Sequence, residues 1–95
     1  MKPEEIYKLR YDAGLTIAQM ANLVGVTHTT WSRWEQGANA PAPVYMATLR
    51  NLREKVDELQ KQNVAKNDIA ERVGGFLLAG GILAFLIWVF NRNDK

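Results

Sequence analysis

The sequence predicts an all-α protein: a front bundle of four to five short helices, a long connecting helix and a single C-terminal transmembrane helix. Three observations predict it. From residue 6 onward apolar residues recur at helical spacings of three and four. Gly14, Gly25 and Gly37 cut the front into three segments of helical length. Residues 73–91 carry no charge, whereas residues 1–72 hold 10 of the 12 Lys/Arg and 9 of the 10 Asp/Glu. The expected parts are a domain at 1–52, a helical linker at 53–72, a membrane helix at 73–91 and a tail at 92–95.

Pro3 suits a first helical turn, where its missing N–H costs nothing. Glu4 and Glu5 follow at the positive end of the helix dipole. Ile6, Leu9 and Ala13 make one apolar stripe, so the first helix spans roughly 3–13. Thr16 and Gln19 form a capping box for the second helix, whose buried face is Ile17, Met20, Ala21 and Val24. Thr27 caps a third helix that ends near Gln36, with Val26, Trp31 and Trp34 at its apolar positions. Pro41 and Pro43 make the next stretch a loop, and Pro43 can open the following helix. From Val44 to Val73 there is no Gly or Pro. Leu49, Leu52, Val56, Leu59 and Asn63 there follow heptad spacing. Either this stripe pairs with another copy, making a homodimer through residues 49–63, or its first half packs on the domain.

Composition excludes several classes of chemistry. With no cysteine there is no disulfide, thiolate metal site or thiol nucleophile. His28 is the sole histidine and cannot hold a metal alone, and no acidic dyad or Ser-His-Asp set is in view. No enzyme activity, metal or cofactor is expected. Residues 1–53 carry 6 basic and 4 acidic groups, a weak basic bias that permits nucleic-acid binding.

Ala21, Gly25 and Trp31, surrounded by Met20, Val24, Val26 and Trp34, have the spacing of a helix-turn-helix: a small residue at the crossing, a glycine in the turn and apolar residues pinning the second helix. With Val26, Trp31 and Trp34 inward, His28, Thr29, Ser32 and Arg33 turn outward. Arg binds guanine O6 and N7 bidentately, and a Thr methyl suits the thymine methyl. Residues 6–52, with "GLT", "MANLVGVT" and "WEQG" followed by prolines, resemble the Cro/C1-type (XRE-like) helix-turn-helix domain. The resemblance implies that the helix from about His28 to Gln36 lies in the DNA major groove. It places Thr27, His28, Thr29 and Arg33 at base edges. It places Thr16, Gln19, Thr30 and Asn39 near phosphates, and pairs Arg10 with Glu35 as a structural ion pair. Where many members carry a DNA-contacting Gln, this chain has Ile17; that contact is absent here, or the helix start packs differently.

Residues 73–91 would make about 28 Å of helix at ~1.5 Å per residue, close to the ~30 Å of a hydrocarbon core. Trp88 lies where an interfacial aromatic is expected. Lys55, Lys61, Lys66 and Arg72 precede the segment and Arg92 and Lys95 follow it. This places the N-terminal domain in the cytoplasm and the chain in the cytoplasmic (inner) membrane as a single-pass, tail-anchored protein. The small residues Gly75, Ala79, Gly80 and Ala84 offer a helix-packing face within the bilayer, a second contact for a homodimer.

The expected function is a membrane-anchored DNA-binding protein, a transcriptional regulator or DNA–membrane tether of phage or bacterial type. Its partners are double-stranded DNA, the lipid bilayer and a second copy. The alternative is a head that binds a protein, either a cytoskeletal filament or a phage or plasmid assembly component.

Overall fold

Helix starts and stops fall where short-range chemistry puts them. In the computed structural model, which describes residues 1–91, α1 spans Pro3–Ala13, α2 Ile17–Val24 and α3 His28–Gln36. The Thr16 hydroxyl accepts from the Gln19 backbone N–H at 3.1 Å, and the Gln19 side chain accepts from the Thr16 N–H at 3.0 Å, so two orphan donors are satisfied reciprocally. Thr27 caps α3 by accepting from the Thr30 N–H at 3.1 Å. Between α2 and α3 the chain reverses at Gly25, whose φ of 91° is open to glycine at little cost.

α4 follows the prolines as Pro43–Lys61, α5 is Lys66–Gly74, a 3₁₀ turn covers Gly75–Leu77, and α6 is Gly81–Phe90. Buried side chains from all six helices form a single cluster. Ile6 and Leu9 of α1, Met20 and Leu23 of α2, Trp31 and Trp34 of α3 and Leu49 and Leu52 of α4 meet Ile69, Val73, Phe85 and Val89 from the last two helices. Trp31 packs on Trp34 with ring centroids 5.5 Å apart, and Trp34 on Tyr45 at 5.6 Å. Lys55 of α4 closes the far end, donating to the Asn91 carbonyl at 2.9 Å, where a cation meets the negative end of α6.

Three expectations are corrected. First, residues 73–91 are not one helix. Gly80 and Gly81 take φ of 90° and 64°, which breaks the apolar run into a turn and a 10-residue helix. At ~1.5 Å per residue α6 is about 15 Å long, half of a hydrocarbon core. No helix among the described residues is long and apolar enough to cross a membrane. The transmembrane helix, the single-pass placement in the cytoplasmic (inner) membrane, and with them the bilayer as a partner, lose their basis. Phe85 and Val89 are instead buried in the protein's own core. Second, the proposed membrane packing face does not form. Gly75 starts the 3₁₀ turn, Ala79 donates to its carbonyl at 3.1 Å, and Gly80 caps α6 directly against Ala84.

Third, the long connecting helix expected in the stretch from Val44 to Val73 is two helices. α4 ends at Lys61 and Asn63 turns the chain with φ 61°, a left-handed conformation that Asn tolerates. The heptad stripe is used within the chain: Leu49, Leu52, Val56 and Leu59 are all buried in the core. It is not available to pair with a second copy, and Asn63 sits in an exposed turn. Residues 92–95, the expected tail, lie outside the described residues.

Candidate nucleic-acid interface

α2 and α3 cross at small and large residues that fit each other. Ala21 is buried at the crossing, Trp31 is fully buried beneath α3, and Met20, Leu23 and Val24 close the remaining space. The Gly25 and Val26 N–H groups both donate to the Ala21 carbonyl, at 2.9 and 3.0 Å, which fixes the turn that aims α3 outward.

The outer side of α3 is polar along its length. His28, Thr29, Arg33 and Gln36 are exposed, and Ser32 is half-buried between them. Thr27 is exposed, but its hydroxyl is committed: it caps α3 and lies 2.9 Å from the Thr30 hydroxyl. That leaves its methyl group free to meet a ligand. Thr30 is half-buried. Thr16 and Gln19 stand exposed at the start of α2, and Asn39 is exposed in the loop after α3. Ile17 is half-buried and packs against the core, so the start of α2 is held by apolar contact.

Arg10 and Glu35 sit behind this surface. Arg10 Nε and a terminal nitrogen donate to the two Glu35 oxygens at 2.6 and 3.1 Å. Its other terminal nitrogen donates to the Leu15 carbonyl at 3.2 Å. Trp31 Nε1 also donates to Glu35. The hydrogen bonds that Arg10 donates to Glu35 raise its pKa against the opposing effect of burial. One carboxylate thus ties α1 and the α1–α2 loop to α3, and the pair is spent on structure.

Two features escaped sequence reasoning. Gln36 donates from its side-chain nitrogen to the Ser32 hydroxyl at 3.1 Å, extending the polar stripe by one turn. The i, i+4 spacing of Ser32 and Gln36 was the available signal. Asp12 is a buried carboxylate held by Lys8 at 3.0 Å and by Arg53 of α4 at 2.9 Å. Burial pushes its pKa up, but the hydrogen bonds from Lys8 and Arg53 outweigh this and hold it below the ordinary value of 3.8.

The electrostatics of the surface are spare. Between Asp12 and Arg50 the chain has two formal charges, Arg33 and Glu35, and Glu35 is neutralised by Arg10. The outer face of α3 therefore presents one cation among hydroxyl, imidazole and amide groups. Among the described residues no group of three or more His, Cys, Asp or Glu is placed to hold a metal ion.

Residues 5–47 match a protein family described as a helix-turn-helix domain. A type II methyltransferase, M.MspI from a Moraxella species, is 31% identical over 75 residues, covering 76% of this chain and 18% of that protein. The chain thus spans less than a fifth of that relative's length. Four residues precede residue 5, so the likeness continues past residue 47 into the helices that follow. No solved structure matches.

Proposed function

We propose, from the helix-turn-helix domain that residues 5–47 form, that the chain binds double-stranded DNA by laying α3 in the major groove and acts as a sequence-reading regulator. The observation that carries this reading is the division of α3 into two faces. Trp31 and Trp34 are buried, and the side opposite them is a continuous strip of short polar groups around Arg33. Arg33 reads guanine, His28 and Thr29 meet neighbouring base edges, and the Thr27 methyl contacts thymine. Thr16, Gln19, Thr30 and Asn39 flank the strip and contact phosphates. They work with the N–H groups at the starts of α2 and α3, whose dipoles favour an anion. The role of Arg10 and Glu35 is to hold α3 at its angle. The function proposed is binding rather than catalysis, and it needs no cofactor.

The likeness to part of a type II methyltransferase supports a head that also occurs joined to other units. A binding assay tests the reading. The chain is mixed with a pool of random duplexes at about 50 mM salt, bound duplexes are selected over several rounds, and the enriched sequence is titrated. A short enriched motif is expected. Absence of duplex binding at that salt, together with capture of a filament or assembly protein, would transfer the α3 surface to a protein partner.

A further inference from the structure

α5 lays a lysine against the turn that leads into α2. Lys66 Nζ stands 3.2 Å from the centre of the Tyr11 ring. Tyr11 is exposed and stacks on Tyr7 with centroids 6.1 Å apart. α5 can come this close because residue 14 is a glycine. A Cβ there would stand 2.9 Å from Ala70 Cβ and 3.2 Å from the Lys66 carbonyl oxygen. Ile69 and Val73 are buried, so α5 is anchored in the core and Lys66 is carried to a fixed place.

That place is unfavourable for a cation on its own. Lys66 lies in the first turn of α5, at the positive end of the helix dipole. Among the described residues it enters no ion pair. Asp68 and Glu71 lie two and five positions further on, off the face that Lys66 shares with Ala70. The tyrosine ring holds one side of the ammonium and leaves its other N–H groups to solvent. An anion that docked here would meet a cation already ordered, which lowers the entropic cost of the contact.

We propose that Lys66 contacts the DNA phosphate backbone beside the start of α2, so that the interface runs past residues 5–47 onto α5. The proposal rests on the reading of α3 as a DNA-binding helix. Gly14, against which Lys66 packs, is two residues from Thr16, and Thr16 and Gln19 are the groups that reading sets on phosphates. Both are uncharged. From residue 13 to residue 49 the chain has only Arg33 and Glu35 as formal charges, and Glu35 is paired with Arg10. Phosphate neutralisation supplies much of the affinity for duplex. The helix-turn-helix is therefore short of cations at its backbone contacts, and Lys66 adds one at the flank.

Fluorescence anisotropy of the full chain tests this on the selected duplex and on a scrambled one, over about 50 to 200 mM salt. Lys66→Gln keeps most of the side-chain stem and removes the charge. It is expected to weaken both duplexes alike, by on the order of five- to tenfold near 100 mM salt, and to make the log–log salt slope shallower by about 0.9. Lys66→Arg should keep the wild-type slope. Tyr11→Leu should weaken binding with the slope unchanged, because the charge remains but is no longer held. Lys66→Gln with wild-type affinity and slope overturns the proposal. So does a loss with an unchanged slope, which would make Lys66 structural, or a loss confined to the selected sequence. A wild type that binds duplex while Lys66→Gln changes nothing sinks the α5 contact alone; a wild type that binds no duplex at about 50 mM salt sinks the reading of α3 itself.

Discussion

Arg10 grips Glu35 through two parallel hydrogen bonds across twenty-five residues of chain, at 2.6 and 3.1 Å. Both side chains are mostly shielded from solvent, and Glu35 also accepts from Trp31. Removing one partner leaves the other charge partly buried and unpaired. Arg10→Met is expected to cost roughly 2–4 kcal/mol, because an uncompensated buried charge is worth more than the pair itself. Arg10→Met with Glu35→Leu should recover much of that loss. Urea unfolding of the two single variants and the double variant measures it, and additive losses would mean that the pair is not coupled.

The Asp12 carboxylate gives stability a defined dependence on acid. Lys8 and Arg53 hold its folded pKa below the ordinary 3.8. The unfolded chain therefore binds the proton first as pH falls. The contribution of Asp12 is fully present above the unfolded value and is lost as pH drops toward and through the lower folded value. Arg10 behaves oppositely, since its raised pKa makes its contribution fully present below the ordinary arginine value and lost only as pH rises through the higher folded one. Urea midpoints should be flat near neutrality and fall below about pH 4. Asp12→Asn should lower the midpoint at pH 7 and flatten the acid limb; an unchanged acid limb would remove Asp12 from the account.

Gly80 holds the reversal that keeps α6 against the body. Its φ is 90°, and an added Cβ would collide with the Ala84 side chain. Gly80→Ala is therefore expected to destabilise by about 2–4 kcal/mol from backbone strain and overlap together. Gly80→Ala with Ala84→Gly relieves the overlap but not the strain, so partial recovery is expected. Thermal unfolding followed by tryptophan fluorescence reads both, because Trp88 rides on α6 and packs against Phe76 with centroids 5.4 Å apart.

That same turn explains what could be read from the sequence and what could not. The caps at Thr16 and Thr27 and the stops at Gly14, Gly25 and Gly37 were legible because each depends on residues within one turn of itself. The inward tryptophans and outward His28, Thr29 and Arg33 followed from helical period alone. The fate of residues 73–91 was not legible. An uncharged apolar run is written alike for a bilayer and for a protein core, and the difference lies in φ at Gly80 and Gly81, to which hydropathy is blind. Period likewise showed that Leu49, Leu52, Val56 and Leu59 share a face, but not that Ile69 and Phe85 belong to the cluster that covers it. The Asp12–Arg53 pair bridges residues 41 apart, beyond any local pattern.

A surface with a single cation makes a quantitative claim about salt. Among the described residues Arg33 is the one formal charge between Asp12 and Arg50 outside an ion pair, so few counterions are released per head when α3 enters the groove. The slope of log affinity against log salt should be shallow, on the order of −2 or less per monomer, the remainder coming from charges outside α3. Arg33→Ala should cost roughly 1–3 kcal/mol on the selected site, relax the preference at one base pair, and reduce the slope by no more than about 1. Gln19→Ala at the start of α2 should weaken all duplexes alike with an unchanged slope, because an uncharged phosphate contact releases no counterion. Fluorescence anisotropy over a salt series, on the selected duplex and on single-base variants, separates the two effects. A loss at Arg33 spread evenly over all base pairs would place that guanidinium on the phosphate backbone rather than on a guanine.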